Sequence, residues 1–247
     1  FNMERFRVAH INKHRSGKRA LTSSSDKRMV QQPTSFDNYA EVLARLGYPV
    51  KLQFSSIFGN EGGDLSLLPA AIGKRNEGEQ WIGIAPFAAH KGKVYPPEMM
   101  ERVIDLIEEN NPHCRIFLFG RGRDESHTFP EWCARHSHCI FVGDHLDTMR
   151  QELVLMSHLD VMVSMDSANM HLASITGTKV VSIWGATHPY AGFMGWRQSE
   201  DNAVQLALAC RPCSIFGNKP CRRGDFACMT GIKPEMIFEK IDKLLSK

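Results

Sequence analysis

No segment of this chain approaches the roughly eighteen uninterrupted apolar residues of a membrane-spanning helix, so none of it reads as one. The first residues, Phe1-Asn2-Met3-Glu4-Arg5-Phe6, lack the apolar run and small-residue cleavage site of a secretory signal. Phe1 is not an initiator residue, so further residues are expected before it. There is no Walker A sequence, and Gly120-Arg121-Gly122 lacks the third glycine of a dinucleotide fingerprint and opens no obvious helix. A phosphate ligand would therefore have to be held at a helix N-terminus without a glycine-rich loop. Basic residues occur without interleaved aromatics or a recognition helix, which argues against nucleic acid as a partner.

What is present is enough for a substantial core. Of 247 residues, 43% are hydrophobic and 23% charged, which suits one large or two modest domains. The net charge of +3 conceals an asymmetry. Residues 1–35 carry Arg5, Arg7, Lys13, Arg15, Lys18, Arg19, Lys27 and Arg28 against Glu4 and Asp26, so the excess of cations lies at this end. Such a segment calls for an anionic neighbour, whether phosphate, acidic sugar or membrane headgroup, or else is simply a solvated tract. Seven cysteines without a secretory signal fit a reducing, cytosolic setting. Cys114, Cys133 and Cys139 sit in apolar runs and read as core thiols.

The chain is expected to divide into three parts: 1–76, an N-terminal portion with a linker; 77–232, the main domain; and 233–247, a closing helix. Residues 1–33 read as irregular. A helix is expected over Ser35 to Leu46, capped by Ser35 and closed by Gly47. The glycines and Pro69 of 48–78 read as loops. From Trp81 onward short apolar strands alternate with helices. Strands are expected at Trp81–Pro86, Arg115–Phe119, Ile140–Val142, Val161–Val163 and Val180–Trp184, with helices over Pro97–Asn110, Phe129–His136, Asp147–Ser157 and 167–176. This is the pattern of an α/β fold with a parallel sheet covered on both faces.

In open parallel sheets ligands bind beyond the carboxyl ends of the strands. Here the loops at those ends are rich in His, Lys, Arg, Asp and Gly. After the fourth strand, Met165-Asp166-Ser167-Ala168-Asn169-Met170-His171 offers a helix start whose amides and dipole favour an anion. After the first strand, His90-Lys91-Gly92-Lys93 offers cations that can meet a leaving diphosphate without a metal. After the fifth, Gly185-Ala186-Thr187-His188 adds amides, a hydroxyl and an imidazole.

The block from Ser164 to Ser174, followed by Gly177-Thr178, an apolar strand and Gly185-Ala186-Thr187, resembles the signature of the heptosyltransferases, glycosyltransferase family 9. Lys93-Val94-Tyr95-Pro96 resembles that family's Lys-x-Trp-Pro element, with Tyr in place of Trp. The resemblance covers about residues 35–247. It implies an inverting, cofactor- and metal-independent glycosyltransferase of the GT-B type, with a C-terminal Rossmann-like domain and a partial N-terminal domain. The donor would be a nucleotide sugar such as ADP-heptose, and the acceptor a lipopolysaccharide core or lipid A-linked sugar at the cytoplasmic face of the inner membrane, with peripheral membrane contact. By position, Lys93 would contact the diphosphate, Ser167 and Ala168 would bind it through amides, Asp166 would hold the transferred sugar, and His171 would support the loop. Glu125 would bind the ribose and Leu146 would line the base pocket; Thr187 and His188 complete the substrate-binding set. The family's opening strand and Gly-Asp loop, which would supply the general base, do not occur in this sequence.

Other readings are a nucleotide-sugar epimerase of the same architecture, a non-catalytic nucleotide-binding module, and a Ser-His hydrolase built on Ser167 and His171. The last lacks the glycines of a nucleophile elbow. Cys210, Cys213, Cys221 and Cys228 contain one short C-x2-C pair, whereas structural zinc sites usually use two. Buried thiols without metal are the expectation there.

Overall fold

The computed structural model describes residues 6–246. Glu4 and Arg5 of the basic segment lie outside them. The core is a six-stranded, wholly parallel sheet in the order β3-β2-β1-β4-β5-β6. The strands are β1 (Gln80–Ala85), β2 (Cys114–Leu118), β3 (Cys139–Phe141), β4 (Val161–Met165), β5 (Val180–Ile183) and β6 (Ala203–Val204). Its helices are α1 (Arg15–Leu21), α2 (Ser35–Leu46), α3 (Pro97–Asn110), α4 (Arg123–Arg135), α5 (Met149–Met156), α6 (Ala168–Ile175), α7 (Ala227–Thr230) and α8 (Pro234–Leu245).

Alternation along each strand builds two cores. Ile82, Ile84, Ile116, Leu118, Val161, Val163, Val181 and Ile183 join Met100, Val103, Ile104 and Ile107 of α3, Phe129 and Trp132 of α4, and Ile237 and Ile241 of α8. The alternate residues Trp81, Phe117, Met162 and Val180 join Leu155 of α5 and Met170 and Ala173 of α6. A fully buried side chain of this size contributes roughly 1.5–3 kcal/mol. Exposed ion pairs such as Arg102–Asp105 contribute about 0–1 kcal/mol each, so the two cores hold the fold.

Three local expectations need correction, and one strand is unmarked in the sequence. Residues 1–33 are not irregular throughout: α1 occupies Arg15–Leu21, and the segment after it is held on the sheet domain by Gln32 N donating to Tyr190 O (2.9 Å) and Ser35 N to Gly192 O (3.1 Å). Thr34, not Ser35, caps α2, in a capping box with Asp37; Gly47 closes it at φ 97°. Helix α4 starts six residues early, at Arg123 directly after Gly122, and carries Pro130 through its interior. The proline removes one helical hydrogen bond but the burial of Phe129 and Trp132 on either side of it outweighs that loss. Finally, β6 is only two residues long and follows a 3-10 turn, too short for any apolar run to mark it.

Candidate functional site

The order 3-2-1-4-5-6 reverses direction between β1 and β4, so the crevice at their carboxyl ends is the topological switch point. The loop leaving β1 carries Lys93 and the loop leaving β4 carries Asp166. Lys93 Nζ lies 3.2 Å from Asp166 Oδ2, with the lysine side chain 17% and the carboxylate 5% exposed. The pairing is one of charge and distance: its angle leaves Oδ2 without an aligned hydrogen bond. His171, one turn into α6, belongs to the same cluster. Burial lowers its pKa, Asp166 opposes that, and Lys93 adds to it, so the imidazole is neutral at physiological pH.

Helix α6 begins at Ala168 with Ser167 at the N-cap in extended conformation. The Ser167 side chain does not cap the helix; its Oγ lies 3.2 Å from Ser164 Oγ. No side chain thus competes for the first-turn amides, which face the crevice end of the helix with the positive end of its dipole. Thr187 is fully buried and its hydroxyl has no partner within the protein. A buried hydroxyl left open beside a charged cluster is a group awaiting a ligand or ordered water.

Close approach of three loops shapes the crevice. Ala186 N donates to Gly92 O at 2.9 Å, tying the β5 loop to the β1 loop. Gly217, at φ 76°, lies against the stem of Lys93: a Cβ there would stand 2.4 Å from Lys93 Cγ and 3.6 Å from Thr187 Cγ2. The 213–217 loop is docked in turn by Cys213 N and Ser214 N, which both donate to Ala186 O. Sequence reasoning gave this loop no part in the site, since Ser214 and Gly217 form no motif.

It also missed Arg211. This guanidinium is 5% exposed and has no carboxylate partner among the described residues. It donates to the carbonyls of Trp184 (2.9 Å), Thr187 (3.0 Å), Gly185 and Leu206, and to Gln205 Oε1 (3.1 Å). Burial pulls its pKa below the usual arginine value. One side chain thus gathers three carbonyls after β5, those of Trp184, Gly185 and Thr187. The signal that could have found it is a lone arginine between Cys210 and Pro212 in a weakly charged segment.

The structure separates the remaining candidates from this cluster. Glu125 sits in the first turn of α4 at the end of β2, folded over Gly120 and Gly122. Leu146 is buried in the second core near the end of β3, and its carbonyl accepts from Arg121, which also pairs with Glu152 at 2.8 Å. Both lie on the same edge as Lys93. His188 follows Thr187, but its Nδ1 accepts from Tyr190 N at 3.1 Å, and the cations whose charge acts on it are Arg211 and Lys27.

Burial, then the charges of Arg211 and Lys27, push the His188 pKa down to about 4 from 6.5. The folded value lies below the unfolded one, so the unfolded chain binds more protons between pH 6.5 and 4. The contribution of His188 to stability is complete above pH 6.5, falls as pH drops through that window, and levels below about 4. His188→Gln is expected to flatten the fall of the urea midpoint between pH 7 and 4.5; an unchanged slope would show that this histidine is not held neutral.

The cysteine cluster differs from expectation in exposure. Cys228 is buried, Cys213 and Cys221 are half-buried, and Cys210 is exposed. Cys221 lies in a turn where desolvation raises its pKa but the amides of Phe226, Arg223 and Gly224 together lower it by more, whereas burial raises those of Cys213 and Cys228. Among the described residues no group of three or more His, Cys, Asp or Glu side chains is placed to hold a metal ion.

Comparison with known proteins bears on what this arrangement is. Lipooligosaccharide heptosyltransferase 2 of Campylobacter jejuni is 34% identical over 85 residues, which is 34% of this chain and 26% of that protein. The solved E. coli ADP-heptose lipopolysaccharide heptosyltransferase II has a TM-score of 0.65 at 16% identity, over 87% of this chain and 62% of its own. E. coli heptosyltransferase WaaC with ADP has a TM-score of 0.57 at 14% identity, over 89% and 60%. The chain thus matches about a quarter of the curated relative and about three fifths of the solved ones. At these identities the solved structures establish the fold, which is the α/β, GT-B type of the heptosyltransferases. The family description glycosyltransferase family 9 (heptosyltransferase) matches residues 15–222, most of the described chain, and the chain belongs to that family.

Proposed function

We propose that this chain forms the donor-binding part of an inverting glycosyltransferase that moves a heptose or related sugar from a nucleotide-sugar donor, ADP-heptose, to a lipopolysaccharide core acceptor. The observation that carries the proposal is the meeting of Lys93, Asp166 and the open start of α6 at the switch point of the sheet. When the bond between sugar and diphosphate breaks, negative charge gathers on the departing phosphate. Lys93 and the amides of Ser167 and Ala168 meet that charge, and no metal is needed for it. Asp166 turns from Lys93 to the hydroxyls of the transferred sugar, with His171 holding the loop behind it. Thr187 offers its free hydroxyl to the phosphate or sugar, Glu125 binds the ribose, and the backbone around Leu146 borders the base. The base that takes the acceptor's proton belongs to the acceptor lobe.

Two solved relatives support the donor: one is an ADP-heptose heptosyltransferase and another holds ADP. The name of the Campylobacter protein supports the acceptor class. A cytoplasmic place beside the inner membrane follows from that acceptor; no helix among the described residues is long and apolar enough to cross a membrane. The hydrolase reading loses its geometry, because Ser167 Oγ faces Ser164 rather than His171. Calorimetry with ADP-, UDP-, GDP- and CDP-sugars tests the proposal. ADP-heptose is expected to bind tightest, with EDTA without effect; preference for another nucleotide, or loss of binding in EDTA, would refute the donor assignment. Release of ADP only when acceptor glycan is added separates a transferase from an epimerase or a non-catalytic module.

A further inference from the structure

Arg121 and Glu152 carry charge at the same edge of the sheet as Lys93 and have no part in the donor contacts given above. Arg121 lies in the turn after β2, and Glu152 in the first turn of α5. Arg121 Nε donates to Glu152 Oε1 at 2.8 Å, and Arg121 Nη2 donates to the Leu146 carbonyl in the loop after β3. The Glu152 side chain is 9% exposed and the arginine 47%; among the described residues Arg121 is the one cation paired with this carboxylate. Because water reaches the guanidinium, the pair contributes little to stability, and burying the carboxylate opposes even that. What the pair supplies is geometry. A free arginine samples many rotamers, whereas anchors 25 and 31 residues further along the chain hold this one in place.

The turn that carries Arg121 is shaped around Glu125. Gly120 has φ 145°, and a Cβ there would stand 2.6 Å from Glu125 Cγ; one at Gly122 would stand 2.3 Å from Glu125 Oε2. The carboxylate given to the ribose therefore lies over Gly120 and Gly122. The residue between these glycines ties the same turn to the carbonyl of Leu146, which borders the base.

We infer that Arg121, braced by Glu152, is a positioning residue of the donor site: it fixes the ribose turn against the base loop and so sets how the nucleoside half of the donor is seated. The inference rests on the donor reading and deepens it for the nucleoside alone. The diphosphate meets Lys93 and the start of α6 with or without the brace.

Calorimetric titration of the chain with ADP and with pyrophosphate tests this, in salt of about 0.15 M, which screens charges more than about 8 Å away. Arg121→Met, at an exposed position, is expected to weaken ADP binding about tenfold and to leave pyrophosphate binding unchanged. Glu152→Ala is expected to act alike, and the double variant to lose no more than either single one, because the two side chains work as a unit. Glu152→Gln keeps an acceptor for Nε and is expected to bring ADP affinity back to within about threefold of the unmutated chain. Equal losses for ADP and pyrophosphate in Arg121→Met would reduce the arginine to diffuse charge, and additive losses in the double variant would make the two groups independent. Either result overturns the inference. An unmutated chain that binds neither ligand refutes the donor assignment and the inference with it, whereas ADP binding unaltered by Arg121→Met refutes the inference alone.

Discussion

Lys93→Ala is expected to weaken ADP binding by about ten- to a hundredfold, which is what one charge-assisted hydrogen bond of about 1.5–3 kcal/mol supplies. Lys91→Ala is expected to do far less. The two lysines share one 3-10 turn, so composition cannot separate them. Their surroundings can: Lys93 is mostly buried, reaches Asp166 at 3.2 Å and has its stem fixed by Gly217, whereas Lys91 lies 5.4 Å over the Phe226 ring on the side of the cysteine loop. Removing Lys93 also leaves Asp166 buried without its cation, which adds repulsion toward the incoming diphosphate. Calorimetric titration of both variants with ADP checks this, and equal losses for the two lysines would show that the turn contributes only diffuse charge.

Arg211→Met is expected to cost the fold about 3–4 kcal/mol, near the upper end for a single substitution. Methionine fills much of the volume but donates nothing, so the carbonyls of Trp184, Gly185, Thr187 and Leu206 lose their shared donor in a place with little water. Each buried group left open costs about 1–3 kcal/mol, partly relieved by relaxation of the loop. Arg211→Lys is expected to recover only part, because an ammonium has three donors and no planar fork. Urea denaturation measures both. ADP affinity is expected to fall as well, because the β5 loop that Arg211 gathers is the one that anchors Gly92 and, through it, Lys93. A lysine variant as stable as the unmutated chain would contradict the role given to the fork.

The parts of this account that were legible in the sequence are those with a short-range cause. Apolar runs of four to six residues marked β1, β2, β4 and β5 because a strand covered on both faces must be apolar throughout. The position of Lys93 and Asp166 at one edge followed from that alternation alone, since every loop after a parallel strand shares an edge. The caps and short elements were harder. Thr34 and Ser35 are both good caps, and only the reciprocal bond from Asp37 decides between them. Helix α1 has Ser16 and Gly17 in its first turn and a weak apolar pattern; Leu21 alone is buried, so packing on the 189–192 loop makes it rather than propensity. The partners of Arg211 and Gly217 were illegible because they are distant in sequence: 24 to 27 residues separate Arg211 from the β5-loop carbonyls it binds. His188 was misleading for the converse reason. Its neighbour Thr187 packs its methyl beside Gly217, as the Lys93 stem does, while one residue further along the loop the ring is half-buried and lies in the field of Arg211 and Lys27 instead.

The central claim is that the switch point between β1 and β4 is a nucleoside-diphosphate site, and a structure of the chain with ADP tests it most directly. The diphosphate is expected within hydrogen-bonding distance of Lys93 Nζ and of the Ser167 or Ala168 amide, with the Lys93–Asp166 contact opened to admit it. ADP bound elsewhere, for instance in the cavity of about 660 Å³ beside Thr178 and Trp196 at the opposite, amino-terminal edge of the sheet, with Lys93 still paired to Asp166, would contradict it.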